Sequence, residues 1–243
     1  MNVKVSVILI AHNGQSYIRE QINSIIEQLK SNDELIISDD SSTDSTPDII
    51  QSFNDSRIIF TQNAKRLGII KNFEKAALLA QGDVVFFSDQ DDIWLNAKVE
   101  TCLNYLQKYD LVVSNCIVWD YLNDKIVGNY FDMFPSKRRF VEAFFMKGNF
   151  LGCCIACRRE VLSFALPFPS IIEGHDSWIG LVAQIFFTIH YIPTPLVLYR
   201  RHATNSSFMA PSPRPISAKI FTRLRTWYAM PTIFYRYFFK KNF

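Results

Sequence analysis

Acidic side chains occur in two short groups, and each group directly follows an apolar run of the sequence. The pair Asp39–Asp40 comes after Leu35–Ile37, and the segment Asp89–Asp92 comes after Val84–Phe87. Carboxylates held at one point repel each other unless a cation joins them, and hard divalent ions take oxygen ligands of this kind. The sequence therefore predicts that Asp91 holds Mg²⁺ or Mn²⁺ against the diphosphate of a ligand.

Alternating strand and helix patterns in the first third of the chain give these acidic groups their positions. The apolar run Val5–Ala11 is typical of a strand covered on both faces, and apolar residues recur at helical spacing from Ile18 to Leu29. Further strands are predicted at 35–37, 57–61 and 84–87, and further helices at 47–53 and 70–80. This pattern predicts an α/β fold with a mainly parallel central sheet flanked by helices. Since ligands bind at the carboxyl edge of such sheets, His12 and Asn13 are expected to join both acidic groups there.

The rest of the chain is less regular. Strand patterns occur near 112–113, 117–118 and 126–127, and helices are predicted over 139–146 and from about Arg158. The stretch Ser177–Tyr199 carries no charged residue and is long enough to span a bilayer, but Pro193 and Pro195 would break a spanning helix. We expect a helix to about Phe187 and then a strand.

Other kinds of site fit the acidic groups less well. Asp89, Asp91 and Glu100 imitate the ligand spacing of an EF-hand loop, but Ile93 and Trp94 stand where that loop needs a ligand and a glycine. Neither GxGxxG nor GxxxxGK[ST] occurs, so a bound nucleotide is not held by a Gly-rich phosphate loop. A solvated loop or a helix cap would explain either acidic group alone. Two groups on one sheet edge favour a ligand site.

Charge is distributed unevenly along the chain. The formal net charge is +3, yet residues 177–243 contain nine Lys or Arg and no acidic residue, so the body is acidic. Prolines and serines at 206–215 are typical of a linker. We therefore expect a domain of catalytic size at 1–205 and a Pro/Ser linker with a basic aromatic amphipathic tail at 206–243.

The tail has the composition of a membrane-surface segment. A helical stripe with basic residues beside it is predicted from Ile216, Ile220, Leu224 and Trp227. Aromatic and basic residues alternate after Pro231 and suit the headgroup level of an anionic membrane. The acidic body would repel nucleic acid, so we expect an anionic membrane and no nucleic acid as a partner. Packing of the tail on the domain, or a contact between subunits, is the alternative.

The five cysteines are an odd number in a chain large enough to need no disulfide framework, which favours reduced thiols. The cluster of Cys153, Cys154 and Cys157 could be half of a metal site. No second CxxC and no pair of histidines lies at ligand spacing in the sequence. We expect buried structural thiols rather than a metal or redox centre.

Taken in order, several motifs resemble those of family 2 glycosyltransferases, which have the GT-A fold and transfer sugars from nucleotide donors with inversion. The resemblance covers about residues 3–205, and the chain lacks the QxxRW motif of the processive synthases. Ser41 stands where the family usually has Gly, and His175 stands where Glu is common. Matching segments are Val5–Asn13, Asp39–Thr46, Arg66–Gly68 with Asn72, Gly82–Asp83, Asp89–Asp92 and Glu173–Asp176. The segments Ser88–Lys98 and Tyr199–His202 are most similar to the branch that includes bacterial rhamnosyltransferases.

The resemblance implies a role for each matching residue. Asp176 is implied as the general base, and Asp91, together with His202, as a ligand of Mg²⁺ or Mn²⁺. Contacts to the nucleotide sugar are implied for Ala11, Asn13, Asp39, Asp40, Arg66, Asn72, Asp89 and Gln90. Contacts to the acceptor or the diphosphate are implied for Asp92, Trp94, Asn149, Gly152, His175, Arg200 and Arg201.

The implied reaction moves a sugar, for example from dTDP-rhamnose or a UDP-sugar, to a hydroxyl of a growing bacterial cell-surface glycan. The expected acceptor is linked to polyprenyl diphosphate, and the expected location is the cytoplasm, peripheral on the inner face of the cell membrane.

Structural roles are the alternative for single residues: Asp176 could only cap a helix, His202 could be an exposed polar residue, and Arg200 or Arg201 could only solvate a strand end. A nucleotidyltransferase also uses Asp-rich strand ends, but no Gly-rich basic loop follows the first strand here. A non-catalytic membrane-binding module would be expected to have broken acidic motifs, and these are intact.

Overall fold

The computed structural model describes residues 3–134, 150–202, 224–225, 228–236 and 238. The amino-terminal half alternates strands and helices, as the sequence predicts. Helices cover both faces of its parallel sheet, so nearly every residue of the first two strands and the fourth is buried. The strands are β1 (Val5–Ala11), β2 (Glu34–Asp39), β3 (Ile58–Gln62) and β4 (Val84–Asp89). The helices are α1 (Ile18–Ile26), α2 (Thr46–Gln51) and α3 (Ile69–Ala77).

The second half of the chain extends the same sheet. Its strands are β5 (Ile93–Trp94), β6 (Leu111–Asp120), β7 (Lys125–Asn129), β8 (Ile155–Arg158) and β9 (Ile189–Arg201). The strand order of the whole sheet is β3-β2-β1-β4-β8-β6-β9-β5, with β7 paired to β6. Strand β8 runs antiparallel to β4 and β6, and β9 runs parallel to β6. The helices are α4 (Lys98–Leu106), α5 (Tyr130–Met133), α6 (Arg159–Ala165) and α7 (His175–Phe186), and Gly152–Cys154 form a 3₁₀ turn.

The register of the sheet brings the predicted site residues to one edge. Ala11 at the end of β1 pairs with Asp39 at the end of β2, and Ile10 pairs with Asp89 at the end of β4. Strands β4 and β6 point the same way, because β8 lies between them and is antiparallel to both. Since β9 is parallel to β6, its carboxyl end, with Arg200, reaches the same side of the molecule. The fold thus gathers chain segments that are up to 190 residues apart in sequence at this edge.

Several elements differ from the predicted ones. The two strand patterns at 112–113 and 117–118 belong to the single strand β6, and the sequence pattern did not predict α4 or β8. The apolar stripe of α4 is hard to recognise in the sequence, because its buried face includes the charged residue Lys98. The predicted helix over 139–146 lies outside the described residues.

Residues 228–236 are helical, and one face of this segment packs on the domain. Ala229 and Ile233 are buried, and the guanidinium of Arg236 donates to the carbonyl oxygens of Phe164, Ala165 and Pro167 at the end of α6. The predicted linker and stripe residues Ile216, Ile220 and Trp227 lie outside the described part of the chain, so the division at residue 205 stays a prediction. Within the described ranges, no helix combines the length and apolar character needed to cross a membrane.

Candidate active site

Four carboxylates from two distant parts of the chain meet at the carboxyl edge of the sheet: Asp89, Asp91, Asp92 and Asp176. Burial, together with the negative charges of Asp91 and Asp176, raises the pKa of Asp89 to about 7. Asp92 is fully buried, and burial and the charges of Asp91 and Asp89 hold its pKa well above the usual range. An accumulation of negative charge that mutually raises these pKa values is typical of a cation or catalytic site.

The two residues predicted to hold the metal lie side by side. His202 Nε2 is 2.8 Å from Asp91 Oδ2, and the imidazole stacks on the ring of Tyr17 with centroids 4.5 Å apart. A carboxylate and an imidazole are ligands that Mn²⁺ accepts, and carboxylates also suit Mg²⁺. The donor set at this edge therefore fits the divalent ion that the sequence predicts, and both residues remain candidate ligands.

The loops after β1 and β2 form one continuous surface beside the carboxylates. The backbone amide of Ser42 donates to Asp39 Oδ2 at 2.9 Å, its hydroxyl donates to Asp39 Oδ1, and the amide of Asn13 donates to that hydroxyl at 2.8 Å. Asn13 Oδ1 in turn accepts from the amide of Thr43 at 2.9 Å. Ser41 has φ 62°, in the left-handed region, which explains why glycine is usual at this position in the family motif. This surface is the candidate nucleotide site.

Asp40 lies beneath that surface and organises the neighbouring loop. Its carboxylate accepts from the backbone amides of Leu67 at 2.7 Å and Gly68 at 2.8 Å, and from the Asn63 amide group at 3.0 Å. These bonds fix the loop that carries the exposed Arg66. In this arrangement Asp40 positions Arg66, rather than facing a ligand itself.

Asn72 is also a buried supporting residue. Its side chain donates to the carbonyl oxygen of Ser38 at 2.8 Å and accepts from the Ser38 hydroxyl at 2.6 Å. A third bond, from Asn63 at 2.8 Å, completes the network. In this structure Asn72 supports the end of β2, and its implied contact with the nucleotide sugar stays a prediction.

Gln90 ties the end of β4 to the end of β1. Its amide group accepts from the backbone N–H of His12 at 2.8 Å and donates to the backbone carbonyl of the same residue at 3.0 Å. A Cβ at Gly14 would lie 2.1 Å from Gln90 Oε1, so only glycine leaves room for this bridge. Gln90 therefore braces the two strand ends on which the candidate ligands stand.

Asp176 stands in the first turn of α7. Gly174 is the N-cap residue and makes no side-chain cap bond, so Asp176 is not the N-cap that the alternative explanation assigns to it. The carboxylate is half-buried and accepts from the amide of Ser177 at 2.6 Å. The position lies near Asp89, since the charge of Asp176 contributes to the raised pKa of Asp89, and negative charge is favoured at a helix N-terminus.

His175, the neighbour of Asp176, is a buried neutral imidazole. Burial lowers its pKa to about 4, and its ring lies 3.7 Å from that of Phe73. Among the described residues, Nε2 has no hydrogen-bond partner. A Cβ at Gly152 would lie 3.0 Å from this atom. Gly152 and His175 thus pack tightly behind the candidate base, which is a supporting role rather than a contact with the acceptor.

We expect Gly152→Ala to lower kcat by up to about 10²-fold, because the added methyl group displaces His175 and with it Asp176. The donor KM should change little, since the nucleotide surface lies on other loops. Steady-state kinetics of the purified variant would measure both. Gly128→Ala is the comparison for backbone strain alone, since a Cβ there meets nothing within 4 Å but the residue has φ 149°, which side chains rarely adopt. Unchanged kcat in Gly152→Ala would show that this packing does not position the base.

Arg200 differs most from its implied role. Its side chain is 1% exposed, pairs with Glu20 at 2.5 Å, and lies over the rings of Tyr17, Trp119 and Tyr121. Glu20, a residue of α1, is therefore an anion that Arg200 contacts.

The backbone amide of Arg200 donates to Asp92 Oδ1 at 3.1 Å, which fastens β9 to the acidic group. Arg201 is half-buried at the strand end and stays a candidate for an anion contact.

One further implied acceptor contact is not found in the open site. Trp94 is 3% exposed and packs against Phe86, with the ammonium of Lys98 4.6 Å from its ring centroid. Asn149 lies outside the described residues.

Sequence reasoning did not single out Glu20 and Tyr17. One signal was available for Glu20: residues 177–243 contain no acid, so a buried Arg200 had to find its counterion in the first part of the chain.

Comparison with known proteins agrees with this architecture. The family model for Glycosyl transferase family 2 matches residues 6–164. The chain is 37% identical over 192 residues to the UDP-Glc:alpha-D-GlcNAc-diphosphoundecaprenol beta-1,3-glucosyltransferase WfaP of Escherichia coli, covering 74% of this chain and 70% of that protein. It is 32% identical over 212 residues to the dTDP-rhamnosyl transferase RfbG of Shigella flexneri, covering 80% of this chain and 71% of that protein.

Among solved structures, S. aureus TarS 1-349 in complex with UDP-GlcNAc aligns with a TM-score of 0.68 at 19% identity. The alignment covers 86% of this chain, which spans 62% of the length of that one. This likeness shows the shared fold and confirms the GT-A expectation. With the family match over most of the described domain, the chain belongs to glycosyl transferase family 2.

Proposed function

We propose that the protein is a metal-dependent, inverting glycosyltransferase that extends a lipid-linked bacterial glycan. The observation that carries this proposal is the meeting of four segments at one sheet edge. The Asp91–His202 pair, with its 2.8 Å contact, supplies metal ligands, the Asp39 loop supplies a nucleotide surface, and Asp176 supplies a base. These groups are the ones that transfer from a nucleotide diphosphate requires.

Relatives support the donor and acceptor classes. WfaP is named for transfer from UDP-Glc to a diphosphoundecaprenol-linked GlcNAc, and RfbG is named for dTDP-rhamnosyl transfer. Both donors are pyrimidine nucleotide sugars. We therefore infer a UDP- or dTDP-sugar as the donor and a hydroxyl of a polyprenyl-diphosphate-linked glycan as the acceptor.

In the proposed reaction, Asp176 takes the proton of the acceptor hydroxyl while that oxygen attacks the anomeric carbon. The bond from the sugar to the diphosphate breaks in the same displacement, so the configuration inverts. The first turn of α7 carries the Asp176 carboxylate at a helix N-terminus, where negative charge is favoured. Arg66, fixed through Asp40, is placed to contact the nucleotide. Mg²⁺ or Mn²⁺ bound by Asp91 and His202 would stabilise charge on the departing diphosphate.

Transfer assays with matched donors test this proposal. Purified protein would be incubated with UDP-Glc, dTDP-rhamnose or GDP-mannose and a polyprenyl-diphosphate sugar acceptor, with Mn²⁺ or with EDTA. We expect a Mn²⁺-dependent glycoside from a pyrimidine donor, with inverted anomeric configuration by NMR. Retained configuration, or turnover unaffected by EDTA, would contradict the proposal. Formation of a nucleotide sugar from a nucleoside triphosphate would instead favour a nucleotidyltransferase.

We also propose that the tail contacts an anionic membrane surface from the cytoplasmic side. While Ala229 and Ile233 face the domain, the opposite side of this helical segment presents aromatic residues. Tyr228 is 81% exposed, Tyr235 is 65% exposed and Phe238 is 64% exposed. Exposed aromatic rings in a segment of net positive charge suit the lipid headgroup level.

Replacement of Tyr228, Tyr235 and Phe238 together by Ser should reduce flotation on anionic liposomes and leave the unfolding temperature nearly unchanged, because these rings are largely exposed. The matched control is Ile233→Ala on the buried face. It should lower the unfolding temperature, since burial is lost, and retain flotation. Equal flotation of the triple variant and the wild type would exclude this face as the membrane contact.

A further inference from the structure

A buried thiol adjoins the acidic group from the side opposite the solvent. The sulfur of Cys153, one oxygen of Asp89 and one oxygen of Asp92 all lie within 4.8 Å of one another. Cys153 and Asp92 are both fully buried, whereas Asp89 is partly exposed and gives access from the site. The three groups come from the end of β4 and from the 3₁₀ turn before β8, which are about 60 residues apart in sequence.

The hydrogen-bonding capacity of the Asp92 carboxylate is not fully used. Its Oδ1 accepts from the backbone amide of Arg200 and the carboxylate also meets the Cys153 thiol, but its Oδ2 is buried and has no well-formed hydrogen bond among the described residues. A buried carboxylate oxygen without a donor costs free energy, so its retention at a site points to a ligand that it serves. A cation is the ligand that would satisfy this oxygen and offset the neighbouring negative charges.

The turn that presents the thiol is held firmly. The ammonium of Lys98 is fully buried and donates to the backbone carbonyl oxygen of Cys153 at 2.6 Å. This bond fixes the turn through its backbone and leaves the sulfur to face the carboxylates. A sulfur and two carboxylate oxygens form a donor set of mixed softness, which differs from the carboxylate–imidazole pair of Asp91 and His202.

We propose that Asp89, Asp92 and Cys153 form a second cation site that takes a thiophilic divalent ion of the Zn²⁺ class. Thiolate sulfur and carboxylate oxygen are ordinary Zn²⁺ ligands. Zn²⁺ is usually four-coordinate, so a water molecule would be the fourth ligand here. As the sulfur–metal bond forms, the thiol proton leaves to solvent, so no oxidant or reductant is needed. Mg²⁺ would not compete well, because it demands six oxygen ligands in octahedral geometry.

The site has a consequence for catalysis that rests on the proposed function. Asp89 is the implied contact for the donor ribose, so an ion bound to Asp89 withdraws that contact. Zn²⁺ should therefore inhibit Mn²⁺-dependent transfer, and the inhibition should weaken when the Cys153 thiol is removed. Binding of the ion itself does not depend on the transfer reaction.

Titration with Cd²⁺ tests the site directly, because a cadmium–thiolate bond gives an ultraviolet charge-transfer absorption. The full-length protein, without nucleotide, should show this band with saturation at one ion per chain. Cys153→Ser should lose the band and bind Cd²⁺ at least about tenfold more weakly, since even outer-shell changes at metal sites cost this much. Cys157→Ser is the matched control, because Cys157 is a fully buried thiol on the neighbouring strand that is not part of the group.

Two further measurements make the result decisive. Mn²⁺ binding, followed by the electron paramagnetic resonance of free Mn²⁺, should be unchanged in Cys153→Ser, which also shows that the variant is folded. If that variant does not fold, Asp92→Asn takes its place and should weaken the binding of Cd²⁺ by a similar factor. A band that persists at full strength in Cys153→Ser would place the thiolate elsewhere, for example at Cys154, whose sulfur is 4.0 Å away. That result, or the absence of any band in the wild type, would overturn the proposal, whereas loss of Mn²⁺-dependent transfer alone would concern only the proposed function.

Discussion

Asp176→Asn should lower kcat by about 10²–10⁴-fold, the range expected for loss of a general base. The amide has nearly the same shape and can still accept from the amide of Ser177, so the start of α7 should keep its structure. The acceptor hydroxyl would then have no group to take its proton. Steady-state kinetics and a separate titration of UDP or dTDP would measure rate and nucleotide affinity.

Nucleotide affinity is the quantity that separates a catalytic role of Asp176 from a structural one. We expect it to stay within a small factor of the wild-type value, because the candidate nucleotide surface lies on the β1 and β2 loops. Glu173→Gln is the matched control: it removes one negative charge from an exposed position three residues earlier. A loss of nucleotide affinity equal to the loss of rate would mark Asp176 as a structural or binding residue.

The fold could be predicted from the sequence because its signals are local. Runs such as Val5–Ala11 and Val84–Phe87 are apolar at every or nearly every position, which is what a strand covered on both faces requires. The isoleucines of α1 repeat at helical spacing. Parallel topology then brings the ends of these strands together, so the meeting of Asp39 and Asp89 at one edge followed without knowledge of any contact.

The roles of single polar residues could not be predicted in the same way. Asn72, Gln90 and Arg200 have the side chains of ligand-binding residues, yet their partners are Ser38, His12 and Glu20. Each partner comes from a segment 34 to 180 residues away. Residue type alone does not distinguish a group that faces a ligand from one that braces the chain.

The cysteines show the same limit of residue spacing. The pattern at 153–157 invited a search for another CxxC or a pair of histidines in the sequence. The fold places the buried sulfur of Cys153 beside carboxylates that follow β4. A group assembled from a turn and a distant strand end has no spacing signature, so this proximity could not be predicted from the sequence.

The second large effect is expected for Asp91→Asn, which should abolish Mn²⁺-dependent transfer. The variant removes the charged oxygen that pairs with His202 but keeps a hydrogen-bond acceptor of the same shape. The folded protein should be no less stable, because the charge of Asp91 is one of the causes that raise the pKa of Asp89. Transfer assays across a range of Mn²⁺ concentrations and thermal unfolding without metal would measure the two properties.

Loss of activity together with retained or increased stability is the combination that a metal ligand requires. A residue needed only for packing would show loss of both, and Asp48→Asn, which removes an exposed charge in the first turn of α2, should change neither. His202→Gln provides an independent check, since removal of the second candidate ligand should weaken Mn²⁺ binding at least about tenfold. If Asp91→Asn kept wild-type turnover at saturating Mn²⁺, the ion would have to be held elsewhere. The thiol-containing group of Asp89, Asp92 and Cys153 would then be the remaining described cluster able to hold it.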